Sequence, residues 1–467
     1  MQTLVIGGGI AGLACAFRLK QLGIPVRLIE CGPRPGGVIA SLRQDNFLFE
    51  LGPQSFLTSP ALLETLSVLD LDSELIRANP KAPRFIYSGG RLQPVPMSPS
   101  ALLTTSLLSW RTKLRLLSEP FRRSKPPPGD ESLAAFVRRK FGNDLLENVA
   151  GPFASGIYAG DPEQLSLRAA FPQVHQWELE FGSVVKGAML PRLPKLREGH
   201  ARLPSRYFGI RELCSFRSGM GAFPEAFARH LGDALHLGVA AETVRAAKVN
   251  GHSGLEVRVI DHRRNQSLAC DAVVLATPAA TTSRILAGLS ANLADQLQAI
   301  PYAPVAVVGV AYQRGQVSHG LDGFGFLVPL PKLRDGLPVL GTVWNSSLFP
   351  GRTPEGHVLL TSFLGGAAAP EWAGRNDVEL TAAVEATLAR VLGVRGTPVA
   401  RNIQRHPHAL PQYNLGHSTR LATLQAELAR LPGVFLAGNF LEGPSIANTL
   451  EQAFRTADSV QRYLHSA

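Results

Sequence analysis

The chain has 467 residues, of which 45% are hydrophobic and 18% charged; this globular composition excludes a disordered polypeptide, and the length predicts two or three domains. Its four cysteines form no Cys-x-x-Cys pair and no zinc-ligand spacing, which argues against disulfides and a metal site and favours a reducing, cytoplasmic compartment. The formal net charge is +11, and residues 84–217 hold 20 Lys and Arg against 11 Asp and Glu. This basic excess favours an anionic membrane surface or an anionic substrate as a partner. No recognisable module supports nucleic acid as a partner.

The first thirty residues predict a strand, a glycine-rich turn, a helix and a second strand. Residues 3–6 are a short apolar strand, residues 13–22 have helical apolar spacing, and a second apolar strand over 26–29 ends at Glu30. Because strands that alternate with helices form parallel sheets, the predicted fold class is α/β with a Rossmann-like domain.

The turn of this unit reads Gly7-x-Gly9-x-x-Gly12. The first glycine permits a tight turn, the second lets the backbone approach a pyrophosphate, and the third lets the helix pack closely on the strand. A helix N-terminus also favours phosphate charge, and a carboxylate at Glu30 is placed to bind ribose hydroxyls. We therefore predict a dinucleotide site formed by Gly7, Gly8, Gly9, Ile10, Ala11, Gly12 and Glu30.

The rest of the chain predicts two helical stretches, a mainly β-rich region and a closing strand–turn–helix unit. Residues 61–77 and 98–150 look helical; a proline-rich break interrupts the second stretch, and Asp130 or Ser132 would cap the helix that follows. Strand-like sequence covers 235–260, 271–276 and much of 301–365, helices are predicted over 378–392 and 418–430, and the last unit places a turn over 438–445 before a helix that runs to about Leu464.

Glu30-Cys-Gly-Pro-Arg34-Pro-Gly36-Gly37 resembles the ExxxRxGG extension of the glutathione-reductase-like flavoproteins and amine oxidases. The resemblance implies FAD and not NAD, because extended FAD needs this second stretch of close backbone. It places Arg34, Gly37 and Val38 along the diphosphate and ribityl chain. By the same resemblance, the isoalloxazine ring would lie beside Gly52, Pro53, Gln54 and Ser55.

Two further segments resemble flavoprotein motifs. Ser218-Gly-Met-Gly221 is similar to the GGMG segment of the amine-oxidase superfamily, with Ser218 in place of the first glycine, and Ala241 falls where that superfamily usually has a Val at the adenine end. The turn before the last helix would point the helix N-terminus at the flavin pyrimidine, where reduction leaves negative charge. The contacts implied there are Asn439, Pro444, Ser445 and Ile446.

Three interior stretches resemble one family: Arg84-Phe-Ile-Tyr87-x-Gly-Gly, Gly156-x-Tyr-Ala-Gly-Asp161-Pro-x-x-Leu-Ser166, and Pro411-Gln-Tyr-x-x-Gly-His417. Together they look like the oxygen-dependent protoporphyrinogen oxidases, including the coproporphyrinogen-oxidising branch. That resemblance implies a six-electron oxidation of a porphyrinogen to the porphyrin in heme biosynthesis. In each of three cycles, a meso carbon would pass a hydride to flavin N5, and O2 would reoxidise the flavin and form H2O2.

The resemblance also implies substrate contacts. Arg84 would pair with a propionate, since a guanidinium fork suits a carboxylate. Gly156 and Gly160 would bring backbone close to the substrate edge. Three apolar residues would sandwich the macrocycle: Leu327, Val343 and Phe363. No side-chain base is predicted, and His417 is expected to be a structural corner near the flavin.

These assignments divide the chain into five segments. A discontinuous FAD-binding domain would comprise residues 1–83, 211–290 and 413–467, interrupted by a helical membrane-associated and substrate-entry insertion (84–210) and a β-rich substrate domain (291–412). No signal peptide and no apolar run of roughly 20 residues is found, so the expected location is cytoplasmic, with peripheral attachment to a membrane surface left open. A homodimer and transfer of the product to ferrochelatase are further hypotheses.

Three alternatives stay open at this stage. An FAD-dependent amine oxidase or carotenoid desaturase would share the flavin segments, although Phe440 alone poorly matches the aromatic pair of an amine oxidase. A flavin-binding or tetrapyrrole-binding carrier would bind without turnover. Within the favoured family, Arg84 serves a substrate with two or with four carboxylates, so protoporphyrinogen and coproporphyrinogen are not distinguished.

Overall fold

The computed structural model describes residues 2–96, 98–122, 125–189, 212–249, 252–261, 263–334 and 336–466. The end of the predicted helical insertion, residues 190–210, and the first residue of the next predicted segment, Arg211, lie outside these ranges. All of the predicted site residues lie within them.

Within the described ranges we number the strands in chain order as β1 Thr3–Ile6, β2 Val26–Glu30, β3 Ser41–Gln44, β4 Phe47–Glu50, β5 Phe56–Leu57, β6 Leu75–Arg77, β7 Arg84–Ser88, β8 Arg91–Pro94, β9 Leu213–Phe216, β10 Leu235–Leu237, β11 Val239–Val249, β12 His252–Asp261, β13 Arg264–Cys270, β14 Ala272–Leu275, β15 Tyr302–Gln313, β16 Gly325–Leu327, β17 Val339–Trp344, β18 His357–Gly365, β19 Ala400–Pro411 and β20 Val434–Leu436.

The helices of the same ranges are α1 Ile10–Gln21, α2 Pro60–Val68, α3 Pro99–Thr104, α4 Trp110–Ser118, α5 Leu133–Lys140, α6 Asn143–Leu145, α7 Gly151–Tyr158, α8 Leu167–Ala170, α9 Pro172–Phe181, α10 Val184–Met189, α11 Ala222–Leu231, α12 Ala279–Leu286, α13 Ala291–Gln298, α14 Leu330–Arg334, α15 Asn345–Leu348, α16 Asp377–Leu392, α17 His417–Leu428, α18 Asn439–Glu442 and α19 Ile446–Ser466.

A five-stranded parallel sheet in the order β10-β2-β1-β14-β20 confirms the predicted α/β class. Every residue of β1 and β14 is buried, as expected for strands that are covered on both faces. Helix α1 packs against α11 and α19. The first and last helices of the chain therefore share one core, and the two predicted ends of the cofactor site belong to one sheet.

A second, seven-stranded sheet has the order β19-β15-β18-β17-β16-β7-β8. Most neighbours are antiparallel, while β16 and β7 are parallel. This sheet takes in residues 84–94, which the five-segment division placed at the start of the helical insertion. That division stays a prediction, but the strand that begins at Arg84 lies beside strands of the predicted substrate domain.

Two helical predictions were too long. Residues 61–77 form a helix only as far as Val68, because Asp70 adopts a left-handed φ of 56° and residues 75–77 pair with β9. Residues 98–150 form several short helices. Ser132, and not Asp130, caps α5 by accepting from the Ala135 amide at 3.1 Å.

Buried charges hold the helical region together. The ammonium group of Lys140 lies 3.2 Å from a Glu119 oxygen and 3.1 Å from a Glu178 oxygen, and all three side chains are buried. Glu119 also accepts from the Ser183 hydroxyl at 2.5 Å, which fixes the start of α10. Among the residues that the structure describes, no helix has both the length and the apolar character needed to cross a bilayer.

Candidate functional site

The turn between β1 and α1, residues 7–12, has the geometry that its glycines predict; we call it the nucleotide turn. Gly7 has a φ of +108°, and a Cβ added to Gly12 would lie 1.9 Å from the Gly7 carbonyl oxygen, so neither position accepts a side chain. A Cβ added to Gly9 would meet nothing within 4 Å. The backbone of Gly9 therefore borders open space at the N-terminus of α1, where Ile10 and Ala11 begin the helix.

Glu30 ends β2 beside this turn. Its carboxylate accepts from the Gly8 amide at 2.6 Å and from the Gly32 amide at 2.7 Å. The half-buried side chain retains acceptor capacity for a sugar hydroxyl, because two carboxylate oxygens offer about four lone-pair sites. Its ribose role stays a prediction. The Gly238 amide donates to the Gly32 carbonyl at 3.1 Å, and the half-buried Ala241 of β11 lies three residues further along the chain. Its position at the adenine end stays a prediction.

Residues 34–38, here the diphosphate loop, pack directly on the nucleotide turn. The Gly36 amide donates to the Gly8 carbonyl at 2.7 Å, and a Cβ on Gly37 would lie 3.4 Å from the Gly9 Cα. The exposed Arg34 guanidinium donates to the Gly37 carbonyl at 2.9 Å, so it braces its own loop. The exposed Val38 completes this wall. The predicted diphosphate contacts are therefore contiguous.

The flavin loop, defined as Gly52–Ser55, follows β4. A Cβ on Gly52 would lie 2.0 Å from the Val38 carbonyl oxygen, so the flavin loop and the diphosphate loop touch. Gln54 is buried, and its amide donates to the Gly52 carbonyl at 2.7 Å and accepts from the Asn345 amide at 2.6 Å. Pro53 and Ser55 are half-buried. The protein therefore holds the Gln54 amide in place, and sequence patterns gave no signal for Asn345.

The closing segment, residues 438–446, runs from just after β20 to the first residue of α19; we call it the C-terminal turn. Tyr413 donates a hydrogen bond to the Asn439 carbonyl, and a ring nitrogen of His417 lies 3.0 Å from the Phe440 carbonyl oxygen. Burial lowers the pKa of His417 to about 4, so its imidazole is neutral near pH 7. Its role as a structural corner near the flavin stays a prediction. Ser445 accepts from an amide of the first turn of α19, between the half-buried Pro444 and the buried Ile446.

The Ser218–Gly221 segment bonds to β3 and β4, the two strands that lead from the diphosphate loop to the flavin loop. The Met220 amide donates to Glu50 at 3.0 Å, and the Gly221 amide donates to the Ser41 hydroxyl at 2.9 Å. Ser218, the departure from the GGMG pattern, donates its hydroxyl to Glu74 at 2.7 Å. The nucleotide turn, diphosphate loop and flavin loop thus form one continuous wall built by distant segments of the chain. The open backbone at Gly9 and the acceptor at Glu30 fit an extended dinucleotide.

A second group of predicted residues lies on adjacent strands of the seven-stranded sheet: Arg84, Leu327, Val343 and Phe363. Gly325 is opposite both Arg84 and Val343, while Gly341 is opposite both Leu327 and Phe363. Because cross-strand partners and alternate residues share a face, all four side chains project from one face, here the slot face. The three apolar residues on it are half-buried, whereas the alternating Phe326, Thr342, Ser362 and Leu364 of the opposite face are fully buried.

Helix α7 meets this face at Leu327. A Cβ added to the exposed Gly156 would lie 2.7 Å from a Leu327 methyl group. Gly160 is buried two residues after the helix ends, and its added Cβ would lie 2.7 Å from Leu165 and 2.9 Å from the Gln412 amide oxygen. The two predicted glycines therefore differ: Gly156 borders the slot face, and Gly160 packs into the protein.

Arg84 stands exposed at the edge of the slot face. Its guanidinium lies over the Phe324 ring, 5.2 Å from the ring centroid, which orients the side chain through a cation–π contact. Among the described residues no carboxylate forms an ion pair with it. Its hydrogen-bond donors are available to an anionic ligand.

This combination of a Rossmann-like wall, a second close-backbone loop and an apolar face beside it defines an FAD-dependent oxidoreductase. The sequence pattern of the family described as "Flavin containing amine oxidoreductase" matches residues 10–461, and the chain belongs to that family. Within it, the chain is similar to a chloroplastic protoporphyrinogen oxidase of Nicotiana tabacum, with 32% identity over 99% of this chain and 86% of that protein.

The bacterial relatives include the coproporphyrinogen III oxidase of Bacillus subtilis (strain 168), which is 27% identical over 100% of this chain and 99% of that protein. A crystal structure from Exiguobacterium sp. 255-15, provisionally named a protoporphyrinogen oxidase, superposes with a TM-score of 0.81 at 24% identity and covers 99% of both chains. A reduced UDP-galactopyranose mutase superposes with a TM-score of 0.71 at 17% identity. These superpositions establish the fold, which is shared by flavoproteins of different activities.

Proposed function

We propose that this protein oxidises a porphyrinogen to the porphyrin with FAD and O2. The observation that carries the proposal is the slot face, on which three half-buried apolar side chains lie beside an exposed guanidinium without a carboxylate partner among the described residues. An apolar macrocycle with carboxylate arms has the chemistry to occupy both regions. The full-length similarity to protoporphyrinogen and coproporphyrinogen oxidases supports the same substrate class.

The overall reaction removes six electrons and six protons from the porphyrinogen and transfers them to three O2, which become three H2O2. When bound, FAD supplies the hydride acceptor for each two-electron step. Leu327, Val343 and Phe363 would hold the macrocycle and exclude water, while Arg84 would bind a propionate. The three apolar side chains carry no titratable group, which suits hydride loss from an electron-rich substrate without a protein base.

Anaerobic mixing with substrate tests this function directly. We expect porphyrinogen to bleach the visible flavin absorbance within the turnover time, and air to restore it with formation of H2O2. If neither protoporphyrinogen nor coproporphyrinogen bleaches the flavin, the carrier alternative is supported. If only an amine or a carotenoid precursor bleaches it, the protein is instead an amine oxidase or a carotenoid desaturase. The ratio of kcat/KM for the two porphyrinogens decides between the protoporphyrinogen-oxidising and coproporphyrinogen-oxidising branches. Arg84 does not decide this, because it can bind a propionate of either substrate.

We also propose that the helical region attaches the protein to an anionic membrane surface. Four apolar side chains on and after α4 are spaced by about one helical turn: Trp110, Leu114, Leu117 and Phe121. The end members are 70% and 86% exposed, respectively. This spacing places Trp110, Leu114 and Leu117 on one face of α4, and the exposed Phe121 follows in the short 3-10 turn after the helix. The neighbouring Arg111 and Arg115 suit phosphate headgroups.

Vesicle sedimentation tests the attachment. We expect binding to phosphatidylglycerol-containing vesicles, weaker binding to neutral phosphatidylcholine vesicles, and release by high salt. Replacing Trp110 and Phe121 with Ser should abolish sedimentation, whereas Val378→Ser, at an apolar residue of α16 that is also highly exposed, should not. Unchanged sedimentation of the double variant would refute the role of this face. A homodimer stays a hypothesis, which sedimentation velocity tests. Transfer of the product to ferrochelatase also stays a hypothesis, which is tested by measuring turnover with both enzymes present.

A further inference from the structure

The loop that joins β17 to β18 is fastened at two points to the segment from β4 to the flavin loop. At its start, Asn345 donates to the Gln54 amide oxygen at 2.6 Å. Further along the loop, the Arg352 carbonyl accepts from the Leu48 amide at 2.9 Å, and the Arg352 guanidinium forms an ion pair with Glu50. This loop joins two slot-face strands to the flavin loop, so its fastening relates the two predicted halves of the site.

The ion pair is fully buried. Arg352 Nη2 lies 3.3 Å from Glu50 Oε1, with no exposed surface on either side chain, and the same nitrogen donates to the Ser215 hydroxyl at 2.6 Å. Glu50 also accepts from the Ser41 hydroxyl at 2.5 Å and from the Met220 amide at 3.0 Å. Burial raises the pKa of Glu50 and lowers the pKa of Arg352, while each charge opposes that shift in its partner.

Such a pair is poorly explained by stability alone. Taking two charges out of water costs about as much as their attraction returns, and an apolar pair of similar size often serves folding equally well. What this pair adds is a fixed link, because one guanidinium nitrogen, Arg352 Nη2, contacts both Glu50 and the Ser215 hydroxyl in a buried space where neither charged side chain can turn toward water. This link joins the end of β4, which leads into the flavin loop, to the loop between β17 and β18, two strands of the slot face.

Geometry of this kind matters for hydride transfer. Reacting groups must be held within about 0.5 Å of their productive arrangement, and a misplacement of about 1 Å can reduce the rate by about 100-fold. Neither the Glu50 nor the Arg352 side chain has solvent-accessible surface, so neither can contact a ligand bound at the site. They can act on the reaction only through the segments that they join.

We propose that Arg352 is a positioning residue which, through Glu50, sets the spacing between the slot face and the flavin loop. This inference rests on the proposed function. It assigns to the pair an effect on the rate of hydride transfer, with little effect on the binding of FAD or of the porphyrinogen.

The test is a charge-neutral double variant, Glu50→Gln with Arg352→Met, which removes the pair without leaving an uncompensated buried charge. We expect stoichiometric FAD, a KM within about threefold of the parent's, and a rate constant of anaerobic flavin reduction that falls by about 10- to 100-fold. A measurement that does not depend on activity is the visible circular dichroism of bound FAD. When product porphyrin is titrated in, the change in this spectrum should differ between the double variant and the parent. The matched control replaces the exposed pair Arg375–Glu379 in the same way and should behave as the parent.

A conservative variant makes the test decisive. Arg352→Lys keeps the charge but replaces the guanidinium with an ammonium group on a shorter side chain, which changes the distance to Glu50, so its reduction rate should lie between those of the parent and the double variant. A double variant that binds FAD, reduces it within about twofold of the parental rate and leaves the dichroism unchanged would overturn the proposal. Loss of FAD binding in both variants would assign the pair to folding alone and also overturn it. Failure of the unmodified protein to be bleached by any porphyrinogen would instead refute the proposed function.

Discussion

Gly160→Ala is a substitution whose consequence can be worked out from the packing around it. The added Cβ would lie 2.7 Å from Leu165 Cδ1 and 2.9 Å from Gln412 Oε1, closer than real Cβ contacts. Leu165 is fully buried. The Gln412 amide is held in place because it donates to the carbonyls of Tyr158 at 2.9 Å and Leu410 at 3.1 Å. Neither neighbour can move freely, so the backbone must shift.

We expect this overpacking to reduce the free energy of unfolding by about 1–3 kcal/mol. Gly156→Ala is the matched control, since its added methyl group meets the tip of one flexible side chain, Leu327, at 2.7 Å beside solvent. For that variant we expect a loss of about 0.5 kcal/mol or less, because an exposed site relaxes easily.

Urea unfolding, followed by tryptophan fluorescence, measures the change in the free energy of unfolding of both variants. Steady-state kinetics measures whether each variant changes kcat or KM. Gly160→Ala should lower kcat while FAD stays bound, because the shifted backbone lies outside the nucleotide turn. Gly156→Ala should mainly raise KM, because it pushes Leu327 into the slot face. Equal stabilities of the two variants, or loss of FAD from Gly160→Ala alone, would refute this reasoning.

Three further expectations follow from the site. Arg84→Ala should raise KM by about 10-fold and change kcat little, since carboxylate pairing is present before and during hydride loss; an unchanged KM would contradict the role. Gly12→Val should yield protein without FAD by absorbance, because even a Cβ would lie 1.9 Å from a carbonyl oxygen of the turn, whereas Gly288→Ala, with open space around it, should retain the cofactor. The pKa of His417, lowered by burial to about 4, lies below its unfolded value; its contribution to stability is therefore complete above about pH 6.5 and falls by up to about 3 kcal/mol toward pH 4. Urea titrations should show this loss, and His417→Gln should lack it.

Local sequence determined those regions of this protein whose geometry lies within one turn of chain. Gly7, Gly9 and Gly12 could be recognised because the tight turn, the close backbone approach and the close helix–strand contact each require glycine at a fixed spacing. The predictions for Glu30 and for the remaining segments of the wall came from longer motifs and from family resemblance, and their cofactor contacts stay predictions.

Only the tertiary structure decided how distant segments meet. The sequence predicted strands over 301–365 but could not say that Leu327, Val343 and Phe363 share a face with Arg84, because the strand register that sets a face depends on pairing partners. It gave no indication of the Glu50–Arg352 pair, whose members are separated by most of the chain and carry ordinary surface-type side chains. It also extended helices through residues 69–77, where pairing with β9 overrides local preference. The spacing of residues along the chain specifies turns. Burial, strand register and charge pairing depend instead on contacts between residues that are distant in sequence, and these contacts form only in the folded protein.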